Sequence, residues 1–584
     1  MRDVIIVGAG AGGPVVAKEL AARGLDVLVL EAGHDSDDVE GEWTHLENDM
    51  TNPLNGWFRW GPSDRSKPAW FRELPQNSFL TQVAGVGGTT QHYFANSPRA
   101  MPGVFAGYGG PDAAAYDRGH EFPFPYAELV PYYEWVETTL PVQTSAMGTK
   151  ERLFFDGTEG VGLGVLTSKD ITADSFRPQE NAILQPGGTA GLTNDPALLR
   201  FPQAQGCTLC GYCFQGCYEP IAAPRNLKAK RSTAVSYMPM ALTADAWVSG
   251  GRRATVVTDA FVTRIHAAVL GGELVARAVS WRDASSGDTF TEEATVVVLA
   301  AGCVENPRLW LNSDLPNPNG WVGRGLTDHA FDWLVGVFDR DTGSSKGASS
   351  AARADFPGRG SIENVGLPPA LQGFAMNLSD SGIPPFYDRG QPAATDLDRG
   401  RVLGTELMSI LGDVNSLLDV LVITDDDVEA GNRVTLSALP ADEHGAIPKV
   451  AMGKRNRSAR TLANREHLAA RTADILRAAG AQRVLRIDFA PLLLHMQSSM
   501  RMGASPADSV LDANAEARAV RRLFVADTSA LANALGGPNP TLTAQALATR
   551  TAEHIFGAYF GGDPWVETEA PVPSTDAAVT SALG

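Results

Sequence analysis

The stretch Arg2-Asp-Val-Ile-Ile-Val-Gly8-Ala-Gly10-Ala-Gly-Gly13, continuing through Val15, Val16 and Leu20 to Val27-Leu-Val-Leu30-Glu31, decides the fold. An apolar run passes directly into a Gly-x-Gly-x-x-Gly turn. A helical pattern follows, then a second apolar run closed by an acid. Gly8 suits the tight bend, Gly10 lets a pyrophosphate approach the backbone, and Gly13 lets the helix pack close on the strand. The helix N-terminus then faces the phosphates. Glu31 falls where a carboxylate accepts hydrogen bonds from an adenosine ribose. Strand, turn, helix, strand and acid in register imply a dinucleotide site, and NAD and FAD satisfy it equally.

From this opening the rest of the chain can be bounded. Its 584 residues, 44% hydrophobic and 20% charged, suffice for a large core and more than one domain. A formal net charge of −19 argues against nucleic acid or an anionic membrane as partner. No apolar run approaches the ~18 residues of a membrane span. The N-terminus reads as no signal peptide, so a cytoplasmic enzyme is expected. Four of the five cysteines crowd into Cys207–Cys217, which is not the distribution of a disulfide framework.

Along the chain, Gly85-Val-Gly87-Gly88 implies backbone pressed against something flat or phosphorylated, with a surface turn as the plain alternative. His92 reads either as a buried histidine or as a covalent tether for a flavin. The aromatic-rich stretch Ala127 to Thr138 reads as a core helix. Cys207-x2-Cys210-x2-Cys213-x3-Cys217 has the spacing of a bacterial ferredoxin run and could ligate an iron–sulfur cluster. A zinc knot or inert packing are its alternatives, and no metal is expected there. Thr295-Val-Val-Val-Leu-Ala-Ala301-Gly302 is a buried parallel strand ending in small residues, where a helix starts beside a ligand. A return to the same sheet so far from the opening implies discontinuous domains. Gly343 to Gly360 has flexible-linker composition, either a disordered surface loop or a mobile lid. Asn464 to Ala479 reads as a helix ended by Gly480.

Near the C-terminus, His495 ends an apolar run, as a satisfied core histidine or as a catalyst. Asn539-Pro540-Thr541 reads as an N-cap with proline at the first helical position. Such a helix end offers free N–H groups and partial positive charge to an anionic reduced flavin. After Gly562 the Pro-, Thr- and Ala-rich tail is expected to be disordered.

Together these pieces resemble the glucose–methanol–choline family of FAD oxidoreductases. The resemblance adds Val322-Gly-Arg-Gly-Leu-Thr-Asp-His329, Asn432 to Ser437 and Asp527 to the motifs above. Within the family, Gly87 to Tyr93, Asn96 to Arg99 and Asn539 to Thr543 look most like pyranose oxidases and bacterial glycoside 3-oxidases. The resemblance implies His495 as catalytic base and Asn539 as its partner on the substrate hydroxyl. It implies Glu31, the backbone at Val262, and Asp527 as FAD contacts, with Thr541 near the isoalloxazine. Gly8, Gly10, Gly13, Gly87, Gly88, Ala301 and Pro540 complete the expected cofactor site. His92 matches the histidine that fungal pyranose oxidases bond to FAD, but Gln91-His92-Tyr93 departs from the usual Thr-His-Trp. A non-covalent FAD is therefore expected, with attachment through His92 as the alternative.

The resemblance implies an α/β chain (α+β overall), with a Rossmann-like FAD-binding domain and a discontinuous substrate domain carrying an antiparallel sheet. The FAD domain is expected at 1–110, 201–330 and 490–561. The substrate domain is expected at 111–200 and 331–489, with the flexible loop at 343–360, and a disordered tail at 562–584. The leading expectation is an oxidase of a sugar or glycoside ring alcohol, favouring C3 of glycosides, with O2 reduced to hydrogen peroxide. The alternatives are a dehydrogenase passing electrons through an iron–sulfur cluster or to a quinone or protein acceptor, and a non-catalytic flavoprotein. An alcohol oxidation needs a group to take the hydroxyl proton as hydride leaves, and an imidazole of pKa ~6.5 suits that role.

Overall fold

The computed structural model describes residues 1–35, 79–80, 82–186, 205–217, 219–220, 223–369, 372–373, 376, 398–399, 404–438, 440–452, 458–487 and 492–583. The expected boundary at residue 200 lies outside them. The first elements are β1 (Arg2–Val7), α1 (Gly13–Ala22), β2 (Val27–Leu30), α2 (Tyr126–Thr139), β3 (Gly164–Val165) and β4 (Ser175–Pro178). Next come β5 (Thr255–Val257), β6 (Ala260–Leu270), β7 (Glu273–Asp283), β8 (Thr289–Leu299), α3 (Gly302–Asn312) and β9 (Asp332–Val337). Then follow β10 (Ala352–Phe356), β11 (Gly360–Val365), β12 (Asp398–Arg399), β13 (Leu417–Thr424), α4 (Ala459–Ala478) and β14 (Arg483–Ile487). The chain ends with β15 (Leu523–Val525), α5 (Thr541–Phe560) and α6 (Ala577–Ala582).

Two sheets carry the molecule. The first has seven strands in the order β5-β2-β1-β8-β7-β6, with β15 also on β8. Its centre is parallel: Val4 to Val7 face Val296 to Leu299 on one side and Val27 to Leu30 on the other. Val297 to Leu299 in turn face Leu523 to Val525. These runs are apolar at every position because both faces are covered. The second sheet has eight strands in the order β12-β14-β9-β13-β11-β10-β4-β3, antiparallel from β14 through β4. The strand period sorts its residues between two cores. Leu334, Val420 and Val422 pack under Leu468, Ile475 and Leu476 of α4, whereas Val335, Leu421 and Ile423 fill the opposite face. Each fully buried aliphatic side chain contributes about 1.5–3 kcal/mol. Ser458 caps α4 by accepting from the Thr461 N–H, and Gly480 (φ +98°) follows its end.

Two expectations from composition are overturned. The 343–360 stretch is neither disordered loop nor lid: it contains β10 and the first residue of β11, and Ala352 to Phe356 are all buried. Its small residues fit between sheet neighbours. The tail is also ordered. Trp565 is buried edge-on against Phe556, with the Arg23 guanidinium 4.5 Å from its ring centroid. The N–H groups of Trp565 and Val566 donate to the Glu553 carboxylate at 2.6 and 2.8 Å. Ser574 is fully buried, accepting from Arg231 Nη2 at 2.8 Å through Oγ and from Asn226 Nδ2 at 3.1 Å through its carbonyl. Apolar and polar anchors together overcome the tail's composition. Trp565→Ala should therefore lower stability by about 3–5 kcal/mol, measured by chemical or thermal unfolding; an unchanged midpoint would contradict the packed tail.

Candidate active site and cofactor cradle

The fingerprint loop leaves β1 and turns directly into α1. Gly8 has φ +102°, and a Cβ there would lie 2.4 Å from the Ala300 carbonyl oxygen. A Cβ on Gly13 would lie 2.0 Å from the Gly8 oxygen, so helix and strand meet backbone to backbone. At Gly10 the nearest such atom is 3.9 Å away, which leaves its face open to a ligand. No side chain caps α1, so its first N–H groups remain available to phosphate. The Gly87-Gly88 turn lies over this loop, with Gly87 N–H donating to the Ala9 carbonyl at 2.8 Å. Thr233 Oγ1 donates to the Gly10 carbonyl at 2.8 Å.

Glu31 is buried and accepts from the N–H groups of Ala9 (2.6 Å), Gly33 (2.9 Å) and Gly85 (2.9 Å). Burial raises its pKa, while those three donors oppose the rise. It thus welds the fingerprint turn to the 85–88 turn. The backbone flanking Glu31 is that of Val257 and Ala260; the Val262 carbonyl accepts from Arg308 Nη2 at 3.3 Å.

Asp527 lies just beyond β15 and organises the far end of the same sheet. One oxygen accepts from the Ser529 N–H and hydroxyl, at 2.8 and 2.6 Å. The other accepts from Gly302 N–H and Asn306 Nδ2, at 2.7 and 2.8 Å. Asn306 also accepts from Ala301 N–H at 3.0 Å. The start of α3, where Ala301 sits, is thereby fixed to the C-terminal segment.

His495 is placed by three neighbouring strands of chain. Thr327 and Gln497 exchange backbone hydrogen bonds at 3.0 and 2.9 Å, and Ser498 N–H donates to the Thr528 carbonyl at 3.1 Å. His495 N–H donates to Asp328 Oδ1 at 2.8 Å. Its Nδ1 lies 2.9 Å from Nδ1 of His329, whose Nε2 is 3.1 Å from the Ala534 carbonyl oxygen. A carbonyl only accepts, so His329 Nε2 carries the hydrogen, and in the neutral ring its Nδ1 is bare. His495 must then donate from Nδ1, leaving its own Nε2 as an unprotonated base. Gln497 agrees once its amide is turned: the oxygen, which otherwise lacks a partner, then faces His329 Nε2 in place of the nitrogen at 3.3 Å. Burial, with His329 and Arg353 nearby, holds the His495 pKa well below the ordinary imidazole value.

Asn539 does not cap α5. The helix starts at Thr541 after Pro540 and has no side-chain cap. The Asn539 oxygen instead accepts from Arg353 Nη1 at 3.3 Å, and its amide donates to Glu363. Arg353 is fully buried and also holds Asp355 (Nη2–Oδ1 2.7 Å), Ser361 (2.8 Å), Gln179 (3.1 Å) and Glu363 (3.3 Å). Asn96 Nδ2 donates to the other Glu363 oxygen at 2.8 Å. A carboxamide carries two N–H donors, of which Glu363 takes one. Gly537 (φ +115°) makes this approach feasible, since a Cβ there would lie 2.6 Å from Gly360 Cα.

His92 is buried in the turn after Gly87-Gly88. Its ring bonds to the Phe214 carbonyl, its Nδ1 has no partner, and burial with the Lys230 charge pushes its pKa down to about 3. The cysteine run packs against this turn.

The family model for GMC oxidoreductases matches in two parts, the N-terminal one over residues 115–331 and the C-terminal one over residues 429–548. A model of NAD(P)-binding Rossmann-like domains matches residues 6–36. The chain belongs to the GMC oxidoreductases. Two relatives of this GMC chain align over nearly its whole length. Paromamine 6'-oxidase of Streptomyces fradiae is 26% identical, covering 95% of this chain and 91% of that protein. 2-Methyl-1,2-propanediol dehydrogenase of Mycolicibacterium austroafricanum is 26% identical, covering 95% of each. Formate oxidase of Aspergillus oryzae RIB40 shares the fold, with a TM-score of 0.59 at 13% identity over 96% of this chain and 99% of that one. The GMC family and the Rossmann-like segment imply FAD, and the open face of Gly10 and uncapped start of α1 fit its diphosphate.

The sequence marks His495 and Asn539 but not their supports. His329 ends the Val322–His329 motif, which by itself assigns it no role. Arg353, Asp355 and Glu363 carried no local signal: two sit in the stretch whose Gly/Ser composition suggested a linker. Among the described residues no helix is long and apolar enough to cross a membrane.

Burial pushes the Glu363 carboxyl up to about 7, against the pull of Arg353. A raised carboxyl contributes stability that is complete below its unfolded value, ~4.3, and lost as pH rises through about 7. Asp419, also raised to about 7 by burial, acts in the same direction. Thermal midpoints of Glu363→Gln should accordingly fall less steeply between pH 5 and 8 than those of the parent; parallel curves would contradict the assignment.

Proposed function

We propose that this GMC oxidoreductase uses FAD to oxidise a ring secondary alcohol of a sugar or glycoside to a ketone. C3 of glycosides is the favoured position, and dioxygen, reduced to hydrogen peroxide, the favoured acceptor. The observation that carries the alcohol chemistry is the 2.9 Å contact between the Nδ1 atoms of His495 and His329, which leaves Nε2 of a neutral His495 without a hydrogen. A buried neutral imidazole, oriented through Nδ1, is poised to accept a hydroxyl proton. The remaining N–H of Asn539 donates to the same oxygen without competing for that proton. FAD, when bound, supplies the hydride acceptor.

Support for C3 is the resemblance of residues 87–99 and 539–543 to glycoside 3-oxidases. The relative named a paromamine 6'-oxidase points to a different position, so product structure decides between them. The 343–360 stretch, which carries the buried strand β10, lends no support to a lid over bulky aglycones. Non-covalent FAD is supported by His92, whose ring already bonds to the Phe214 carbonyl. A second reading, a dehydrogenase with another acceptor, is favoured by the four-cysteine cavity beside the His92 turn.

The test is anaerobic flavin bleaching across a panel of sugars and glycosides, with the oxidised carbon read by NMR. Bleaching by a glycoside with a C3 ketone is expected, and in air peroxide should match ketone. Ketone without peroxide selects the second reading. His495→Ala should retain flavin while its reduction slows by roughly 10²–10⁴-fold; undiminished reduction would remove the base assignment.

A further inference from the structure

The face of the second sheet turned away from α4 changes character along a single row. Cross-strand register sets Trp333 on β9 opposite Leu421 on β13, and Leu421 opposite Glu363 on β11. Glu363 in turn stands opposite Arg353 on β10, and Arg353 opposite Arg177 on β4. Opposed residues share a face, so the row passes from an indole through an aliphatic chain to a carboxylate and two guanidiniums. Strands lie about 4.8 Å apart, which separates Trp333 from Glu363 by about 10 Å. The polar end holds Asn539, bonded to Glu363 and Arg353.

The apolar end adjoins the base. Phe331, two residues before Trp333, packs against the cluster on this face that contains Trp333, Leu421 and Ile423. Its ring centroid lies 5.0 Å from that of His495 at an interplanar angle of 67°, and 5.8 Å from that of His329. Trp333 is buried, yet Phe331 remains part-exposed. Phe94, reaching the same cluster from the turn after His92, is part-exposed as well. The cluster thus fixes Phe331 and leaves apolar area beside His495. A pyranose matches this division. Its rim carries hydroxyls, whereas a ring face bearing axial hydrogens is apolar, and the negative face of an aromatic quadrupole favours such C–H groups.

We propose that Phe331 is a specificity-determining platform, on which the C–H face of a pyranoside rests while its hydroxyl rim turns toward Glu363 and Asn539. This deepens the alcohol-oxidation reading above and rests on it. The platform selects ring sugars that carry axial hydrogens on one face, such as gluco-configured pyranosides. Acyclic secondary alcohols present the same reacting hydroxyl but have no such face. The contact forms on binding and involves neither the hydroxyl proton nor the hydride. Phe331 therefore acts on affinity for the ring and on how the ring is turned, and the proton transfer stays with His495. A purely structural Phe331 would instead only screen the His329–His495 pair from water, and any apolar side chain of similar bulk would serve that purpose.

The experiment follows anaerobic flavin reduction in the full-length flavoprotein with methyl glucopyranoside and with 2-butanol. Phe331→Leu keeps apolar bulk and removes the aromatic face. It should raise the half-saturating concentration of the pyranoside about 2- to 10-fold, more than it slows the limiting rate. Phe331→Tyr should restore the parent value, and nitrogen-15 NMR should find the His495 Nδ1 hydrogen retained in Phe331→Leu. An unchanged half-saturating concentration in Phe331→Leu overturns the platform. So does loss of the Nδ1 hydrogen, which would make Phe331 a screen for the histidine pair. Reduction by 2-butanol alone also overturns it, and leaves the alcohol chemistry standing. If neither compound nor any other alcohol bleaches the flavin, the catalytic reading fails instead. Calorimetric binding of the pyranoside, weakened or not in Phe331→Leu, then decides the platform by itself.

Discussion

The buried guanidinium of Arg353 is the interaction on which the placement of Asn539 depends. It sits on β10 with no exposure and distributes its donors over Asp355, Ser361, Gln179, Glu363 and Asn539. Leaving such a charge or its partners unpaired costs about 3–5 kcal/mol. The network therefore has one low-energy arrangement. In that arrangement the antiparallel sheet, through β10, fixes the side chain of Asn539, two residues before α5. Asn539 cannot rotate without uncovering both Arg353 and Glu363, so its remaining donor has a fixed direction.

A second constraint acts on the other side of the site. β1, β8 and β15 come from the beginning, middle and end of the chain, yet pair in parallel. Asp527, just past β15, spends four acceptor contacts on Ser529, Gly302 and Asn306. His495 then lies between the 327–329 and 528–530 segments, its ring bonded to His329. Parallel pairing makes the cofactor cradle, and side-chain hydrogen bonds set the tautomer of the base. The two constraints meet around His495, which feels the Arg353 charge from one side and the His329 ring from the other.

The parallel half of this was legible in the sequence. Val4 to Val7, Val27 to Leu30 and Val296 to Leu299 are continuous apolar runs, and glycines at 8, 10 and 13 mark the turn between the first two. His495 and Asn539 were legible through the resemblance, not through any local pattern. What escaped was everything that acts across long sequence separation. Asn539 looked like an N-cap because Asn-Pro commonly caps a helix, and only the fold shows Arg353 occupying its oxygen. The 343–360 stretch looked like a linker because small residues serve both flexible loops and tightly packed strands. The tail looked disordered because its few anchors, Trp565, Ser574 and Val579, are diluted by Pro, Thr and Ala.

The central claim is that His495 is a neutral base whose Nε2 is bare and whose Nδ1 carries the hydrogen. Nitrogen-15 NMR of the histidine-labelled flavoprotein at neutral pH reads this directly, with His495→Gln assigning the signal among the ten histidines. The expected result is a His495 ring protonated at Nδ1 alone, reverting to a mixture of tautomers in His329→Ala. A proton on Nε2, or an imidazolium, would contradict the account.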